Sequence, residues 1–383
     1  MTNNLLSIAW RKCKYLDQNT AITGKKQGIR QRLKDTIINY KPLHELMPLH
    51  HTFPRVNILL FGAVESGKSS VFNTISSLFK GKIFNIARCG RSSGSFTTKL
   101  TKFQVMYGGI AEQLRLTLWD TRGIDETHLM APQNMKILLK GNLPDRYPLD
   151  PSLEVHLDSP GINTIPTLCD VVHCVSIVVD ATTIDDMDDN IYRNICQMQT
   201  VMNSLDVQHV ILLTNIDKIC ELTKKDATYA YKSKAIQEAV EKVAKKFGVP
   251  RNAVFIMKCY EEESFLDDNV DIMTLLALSG ILQHCDAYLY RFYESVIDLA
   301  SKQASLEEEN KSLKVEMEEY KSIVKNFKRQ FESSQIRQKK KDVVIYDDKM
   351  LSNLITESDV LNKEIDRLRD RRDHLKEDIN NVK

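Results

Sequence analysis

The chain has 383 residues, with 53 Lys and Arg against 51 Asp and Glu for a net charge of +2, and 42% of it is hydrophobic. This length supports one large core and something more, while the charge balance excludes capture of nucleic acid by the molecule as a whole and leaves only local basic patches for RNA or a membrane surface. Eight cysteines with no C-x-x-C pair and no histidines at zinc spacing argue for free thiols in a reducing, cytoplasmic setting.

In chain order, residues 1–54 are a basic N-terminal helical segment, with a helical pattern through GIRQRLKDTIINYKPL. Its simplest reading is a solvated helix leaning on the core, and a membrane- or RNA-contacting arm is the alternative. Residues 55–290 alternate short apolar runs with helical patterns: NILLFG, LRLTLWD, VVHCVSIVVD, HVILLTN and AVFIM. That alternation predicts an α/β fold, a P-loop NTPase G domain whose mostly parallel sheet has helices on both faces, with TKFQVMY as an antiparallel edge strand. No apolar run approaches the ~18–20 residues of a membrane span, and the N-terminus has no signal-peptide core, so no transmembrane segment is expected.

The last glycine is Gly280, and residues 291–383 read as a long α-helical coiled-coil tail. One apolar seam runs through Leu289, Phe292, Val296, Leu299, Leu306, Leu313, Met317, Tyr320, Val324, Phe327 and Phe331, with Gln303 and Asn310 at the polar seam positions. A second begins at Leu351, and the register breaks near 333–349, as a local unwinding or as the bend of a helical hairpin. Self-association or a helical partner protein is the use such a tail suggests.

Chemistry is concentrated between residues 62 and 217. GAVESGKS, from Gly62 to Ser69, obeys G-x-x-x-x-G-K-[ST] between an apolar strand and a helix. Backbone N–H groups of such a loop, here through Glu65, Ser66, Gly67 and Ser70, bind phosphates at a helix N-terminus. Lys68 reaches the β- and γ-phosphates, and the Ser69 hydroxyl ligates Mg²⁺. LTLWDTRG ends an apolar strand in Asp-x-x-Gly, which assigns Asp120 to the Mg²⁺ shell and the Gly123 N–H to a γ-phosphate. In GSFTTK, Thr97 or Thr98 is the candidate third metal ligand, Thr98 being preferred.

HVILLTNIDK ends in Thr214, Asn215, Ile216 and Asp217, close to the [N/T]-K-x-D pattern of guanine-binding loops. A carboxylate at Asp217 accepts both N1–H and N2–H of guanine, a pair adenine lacks, so GTP and GDP are expected over ATP. Asn215 stands where a lysine usually stacks its stem on the base, so modest affinity is expected. A backbone N–H between Lys258 and Tyr260 is the candidate for the guanine carbonyl. Ile124 occupies the position after Asp-x-x-Gly where a water-orienting glutamine is usual, and Val64 stands where a glycine often makes room for an arginine finger, so hydrolysis is expected to be slow. Arg122 is the candidate charge in cis.

ILLFGAVESGKSSVFN, the insertion LLKGNLPDRYPLDPS, the strand VVHCVSIVVDA and the helix DIMTLLALSGIL resemble the interferon-induced protein 44 family, as does INYKPLHEL before the first strand. The resemblance covers roughly residues 36–290. It implies a cytosolic G-domain protein induced in innate immunity, associated with antiviral response and GTP binding, and it carries over Gly62, Gly67, Lys68 and Ser69. Two functions stay open: a slow GTPase or GTP-regulated switch that assembles through its coiled coil, and a non-catalytic immune adaptor that uses the G fold as scaffold. The PDRY insertion reads as an ordered surface loop with a docking role as the alternative.

Overall fold

A computed structural model describes residues 23–43, 53–85, 87, 99–108, 112–148 and 154–339, and in the tail residues 356, 360, 363 and 366–369. The chain divides into two compact units, residues 1–290 and 291–383.

The first unit is built on a six-stranded sheet in the order β2-β3-β1-β4-β5-β6. Its strands are β1 (Val56–Phe61), β2 (Thr101–Met106), β3 (Gln113–Asp120), β4 (Cys174–Asp180), β5 (Gln208–Thr214) and β6 (Val254–Ile256). All neighbours pair parallel except β2, which runs antiparallel to β3 at the edge. This is the strand order of a P-loop G domain, and the edge position expected for TKFQVMY is where β2 lies.

Alternation along each strand feeds two cores. Leu59, Phe61, Val175, Ile177, Ile211 and Leu213 point to one face, where α3 (Pro132–Leu139), α4 (Asp189–Ser204) and α6 (Lys234–Phe247) cover them. Ile58, Leu60, Val178, Val210 and Leu212 point to the other, against α1 (Thr23–Ile38), α2 (Lys68–Lys80) and the stretch from Leu275 to Leu289 of α7 (Asp268–Lys339). Strands buried on both sides need near-continuous apolar runs, which is why β1 reads VNILLF, with its one polar side chain, Asn57, bonded to the Cys169 and Val171 carbonyls. Each of these side chains contributes about 1.5–3 kcal/mol by leaving water. A short α5 (Glu221–Lys225) follows β5.

The basic N-terminal helix is tied down on the described part of its length. Ile29 and Ile37 are buried, Arg30 bonds Asp268 at 2.7 Å and lies 3.3 Å from Asp271, and the Lys34 ammonium donates to the Leu78 carbonyl at the end of α2. The PDRY loop is ordered: Asp145 accepts the Lys102 N–H at 2.8 Å, and Arg146 donates its N–H to the Leu100 carbonyl. Asp145 and Arg146 pair only loosely with each other, at 3.8 Å.

Two features of α7 bear on the expectations above. By length and composition, Asp268–Gln330 passes as a candidate membrane span, although 61% of its most apolar window is buried inside the protein. A buried core helix has the same length and composition, so the feature does not by itself mark a membrane span. In the second unit the seam divides: Asn310, Leu313, Met317 and Val324 are buried and Leu313 and Met317 pack with Leu368, whereas Phe292, Val296 and Leu299 are exposed. The register break lies mostly outside the described residues.

Candidate nucleotide site

The site is assembled at the carboxyl ends of β1, β3, β4 and β5. Leaving β1, the chain turns at Gly62, where a Cβ would come 2.3 Å from the Val178 carbonyl oxygen, so only glycine lets the loop pass β4. Glu65 then takes φ 63° and Gly67 φ 94°, the latter as N-cap of α2. Left-handed residues in such a turn aim successive N–H groups inward, forming a concavity suited to anions, with the positive end of the helix dipole behind it. A non-glycine residue held at that φ costs on the order of 1–2 kcal/mol, strain typical of functional loops.

Lys68, 6% exposed, donates to the carbonyls of Gly62 at 3.1 Å and Ala63 at 2.7 Å. Burial pulls its pKa down to about 8, although Asp120 opposes the fall. Next to it the Ser69 hydroxyl lies 3.2 Å from Asp120 Oδ2. A hydroxyl and a carboxylate converging beside a lysine are hard oxygen donors of the kind Mg²⁺ takes with nucleotide phosphates, and this pair fits such an ion. Among the described residues no cluster of three or more His, Cys, Asp or Glu offers a metal site built from protein alone. Ser70 follows in the first turn of α2, and Thr97 and Thr98 lie outside the described residues.

The Asp-x-x-Gly loop is laced onto the phosphate loop. Ile124 donates its N–H to the Gly62 carbonyl at 3.1 Å and accepts from the Val64 N–H at 2.9 Å. A Cβ on Gly123 would meet the Val64 backbone at 2.7 Å and the Lys68 ammonium at 3.0 Å. Ile124 itself is fully buried within the hydrophobic core, so an apolar side chain fills the position usual for a water-orienting glutamine. The Arg122 Nε is buried without a hydrogen-bond partner. Beyond it Asp125 closes the loop: burial raises its pKa, but hydrogen bonds from Thr127 and His128 outweigh this and hold it down at about 2.

The end of β5 is bolted to the same loop. Thr214 Oγ1 donates to the Ser66 carbonyl at 2.7 Å and contacts that of Val179 at 3.2 Å. Asn215 takes φ 54°, is 8% exposed, and donates its side-chain amide to Asp180 Oδ2. Asp217 is half-buried; burial raises its pKa, against its own backbone N–H and the nearby charges of Lys258 and Lys218. Those lysines are paired with Glu263 at 3.1 Å and Glu261 at 3.0 Å. Of the candidate N–H groups after β6, Tyr260 is removed, because its N–H donates to Thr74 Oγ1 in α2 at 3.0 Å. Asp180 went unnoticed in the sequence; its only signal was an apolar strand, VVHCVSIVVD, that ends in a carboxylate.

No protein-family model matches the chain. Human interferon-induced protein 44-like (Homo sapiens) is 30% identical over 267 residues, 69% of this chain and 58% of that protein. Human interferon-induced protein 44 is 27% identical over 262 residues, 68% of this chain and 58% of that protein. The chain thus spans little more than half the length of these relatives. Among solved structures, a probable GTP-binding protein, engB, covers 60% of this chain and 98% of its own at 13% identity, with a TM-score of 0.34 that adds nothing to the strand order above. The matched two-thirds of the chain belongs to the interferon-induced protein 44 family.

Proposed function

We propose that the chain is a guanine-nucleotide-binding protein, a slow GTPase or GTP-regulated switch of the innate immune and antiviral response that works in the cytoplasm. The observation that carries this reading is the Thr214–Ser66 hydrogen bond, which joins the phosphate loop to the loop bearing Asp217. Phosphate and base chemistry thereby share one rigid frame. The N–H groups from Glu65 to Ser70 and the Lys68 ammonium hold the α-, β- and γ-phosphates, and Asp217 accepts N1–H and N2–H of guanine. Ser69 and Asp120 would hold Mg²⁺, with Thr98 the expected third ligand, and the ion would offset phosphate charge. Gly123, backed against Val64, lies where the presence of a γ-phosphate is felt and passes it to the following loop. Coiled-coil assembly through residues 291–383 is the output, by self-association or with a helical partner.

With Ile124 in the core, no side chain at that position orients water, which makes hydrolysis slow. The same burial favours a second reading, an adaptor that binds nucleotide without turning it over. Titration of the nucleotide-free chain with fluorescent GDP, a non-hydrolysable GTP analogue and ATP tests the common ground. Guanine nucleotides should bind and ATP should not, and Lys68→Ala should weaken GTP by about 10–100-fold, the worth of a charge-assisted bond to phosphate. ATP binding as tight as GTP, or a Lys68→Ala variant that binds like wild type, would overturn it.

A further inference from the structure

The guanine loop differs from its usual form at one side chain, and the structure shows what that side chain does instead. Asn215 sits at φ 54°, a conformation asparagine adopts more readily than most residues, and its amide is turned onto Asp180. Asp180 ends β4 and is the register partner of Thr214, the residue that clamps the phosphate loop. Its other oxygen accepts the N–H of Thr182 at 2.8 Å and the hydroxyl of Thr182 at 2.7 Å. All three donors are neutral, and among the described residues no cation pairs with Asp180. Two residues earlier, the Val178 carbonyl lies against Gly62. Asp180 is therefore a carboxylate at the rim of the phosphate loop, held by neutral groups where the stem and charge of a lysine would otherwise lie.

We propose that Asp180 and Asn215 form an affinity-setting pair that makes guanine nucleotides bind weakly and leave quickly, so that the chain samples the cellular GTP and GDP pool without a partner to drive exchange. The inference rests on the nucleotide reading above and deepens it. Two physical effects act in the same direction. The short amide cannot lay an aliphatic stem along the purine face, and the uncompensated carboxylate repels the phosphates across a partly buried path where screening is weak. A lysine at position 215 would reverse both, pairing with Asp180 and covering the base.

The test is the dissociation rate and equilibrium affinity of fluorescent GDP on the full chain, with wild type, Asn215→Lys, Asp180→Asn and the double variant compared. Asn215→Lys should tighten binding and slow release by about 10-fold or more, the scale of one charge-assisted contact. Asp180→Asn alone should tighten binding about 3-fold by removing the repelling charge. The double variant should keep the lysine's gain, because the stem still covers the base and the repelling charge is gone. Lysine is less at ease at a positive φ, so thermal melting checks its folding, and Asp180→Asn, which makes no such demand, gives an independent result. If wild type binds GDP and neither single variant alters affinity or release, the pair sets nothing and the inference fails while the guanine site stands. If neither wild type nor Asn215→Lys binds any guanine nucleotide, the site reading fails and takes the inference with it.

Discussion

Lys68 carries an ammonium into a place where 6% of the residue is exposed, and burial lowers its pKa from 10.5 to about 8. Between those values the folded chain binds fewer protons than the unfolded chain, so stability rises with pH across that window as the buried charge is discharged. Polyphosphate favours the charged form and works against the shift. Nucleotide binding at pH 9 should therefore take up about one proton, and binding at pH 7 almost none. Calorimetry in two buffers of different ionisation heat measures this, and Lys68→Ala should abolish the difference; a pH-independent proton balance would contradict it. That Gly62, Lys68, Ser69 and Asp120 come together was legible in the sequence, because their motifs fall at the ends of adjacent strands in a strand–loop–helix unit. Asp180 was not, because its meaning comes from Asn215, 35 positions further on and adjacent only through the β4–β5 register.

At the scale of elements, α1 is held by specific partners rather than by general basicity. Ile29, Leu33 and Ile37 face the core, and Arg30 and Lys34, four residues apart, flank that stripe. Arg30 meets Asp271, whose side chain is fully buried. Burial raises the Asp271 pKa to about 6, against the Tyr260 hydroxyl and Arg30, which favour its charged form. Tyr260 links this junction to the loop after β6, through its hydroxyl to Asp271 at 2.8 Å and its N–H to Thr74. Arg30→Ala leaves the carboxylate without its cation and should cost about 2–3 kcal/mol, below the ~3–5 kcal/mol of a fully buried pair because Arg30 is partly exposed. Arg32→Ala, on the exposed face, should cost under about 0.5 kcal/mol. Urea denaturation compares the two, and equal effects would refute the latch. The helix is legible in its periodicity and the latch is not, since a buried Asp271 looks like any acidic residue in the first turn of a helix.

For the whole molecule, the alternation of apolar runs with helical patterns was enough to read a doubly covered, mostly parallel sheet and its antiparallel edge. The order of the strands came only from the structure, because pairing is decided by crossovers that local periodicity does not encode. The tail shows the same limit. Its 3-4 spacing marks a seam, but spacing does not say that Leu313 and Met317 meet Leu368 within the chain while Phe292, Val296 and Leu299 stay exposed. Joined to the matched family, the G-domain unit makes guanine recognition by Asp217 the claim on which the function depends. Asp217→Asn tests it most directly. An amide offers one acceptor and one donor, which suits the N1–H and C2 carbonyl of xanthine and no longer suits the N1–H and N2–H of guanine. Competition binding should show GTP weakened and xanthosine triphosphate gained by about 10-fold or more each in the variant, the scale of a buried polar group left unpaired. Unchanged preference for GTP over xanthosine triphosphate in Asp217→Asn would contradict the assignment of Asp217 as the residue that reads the base.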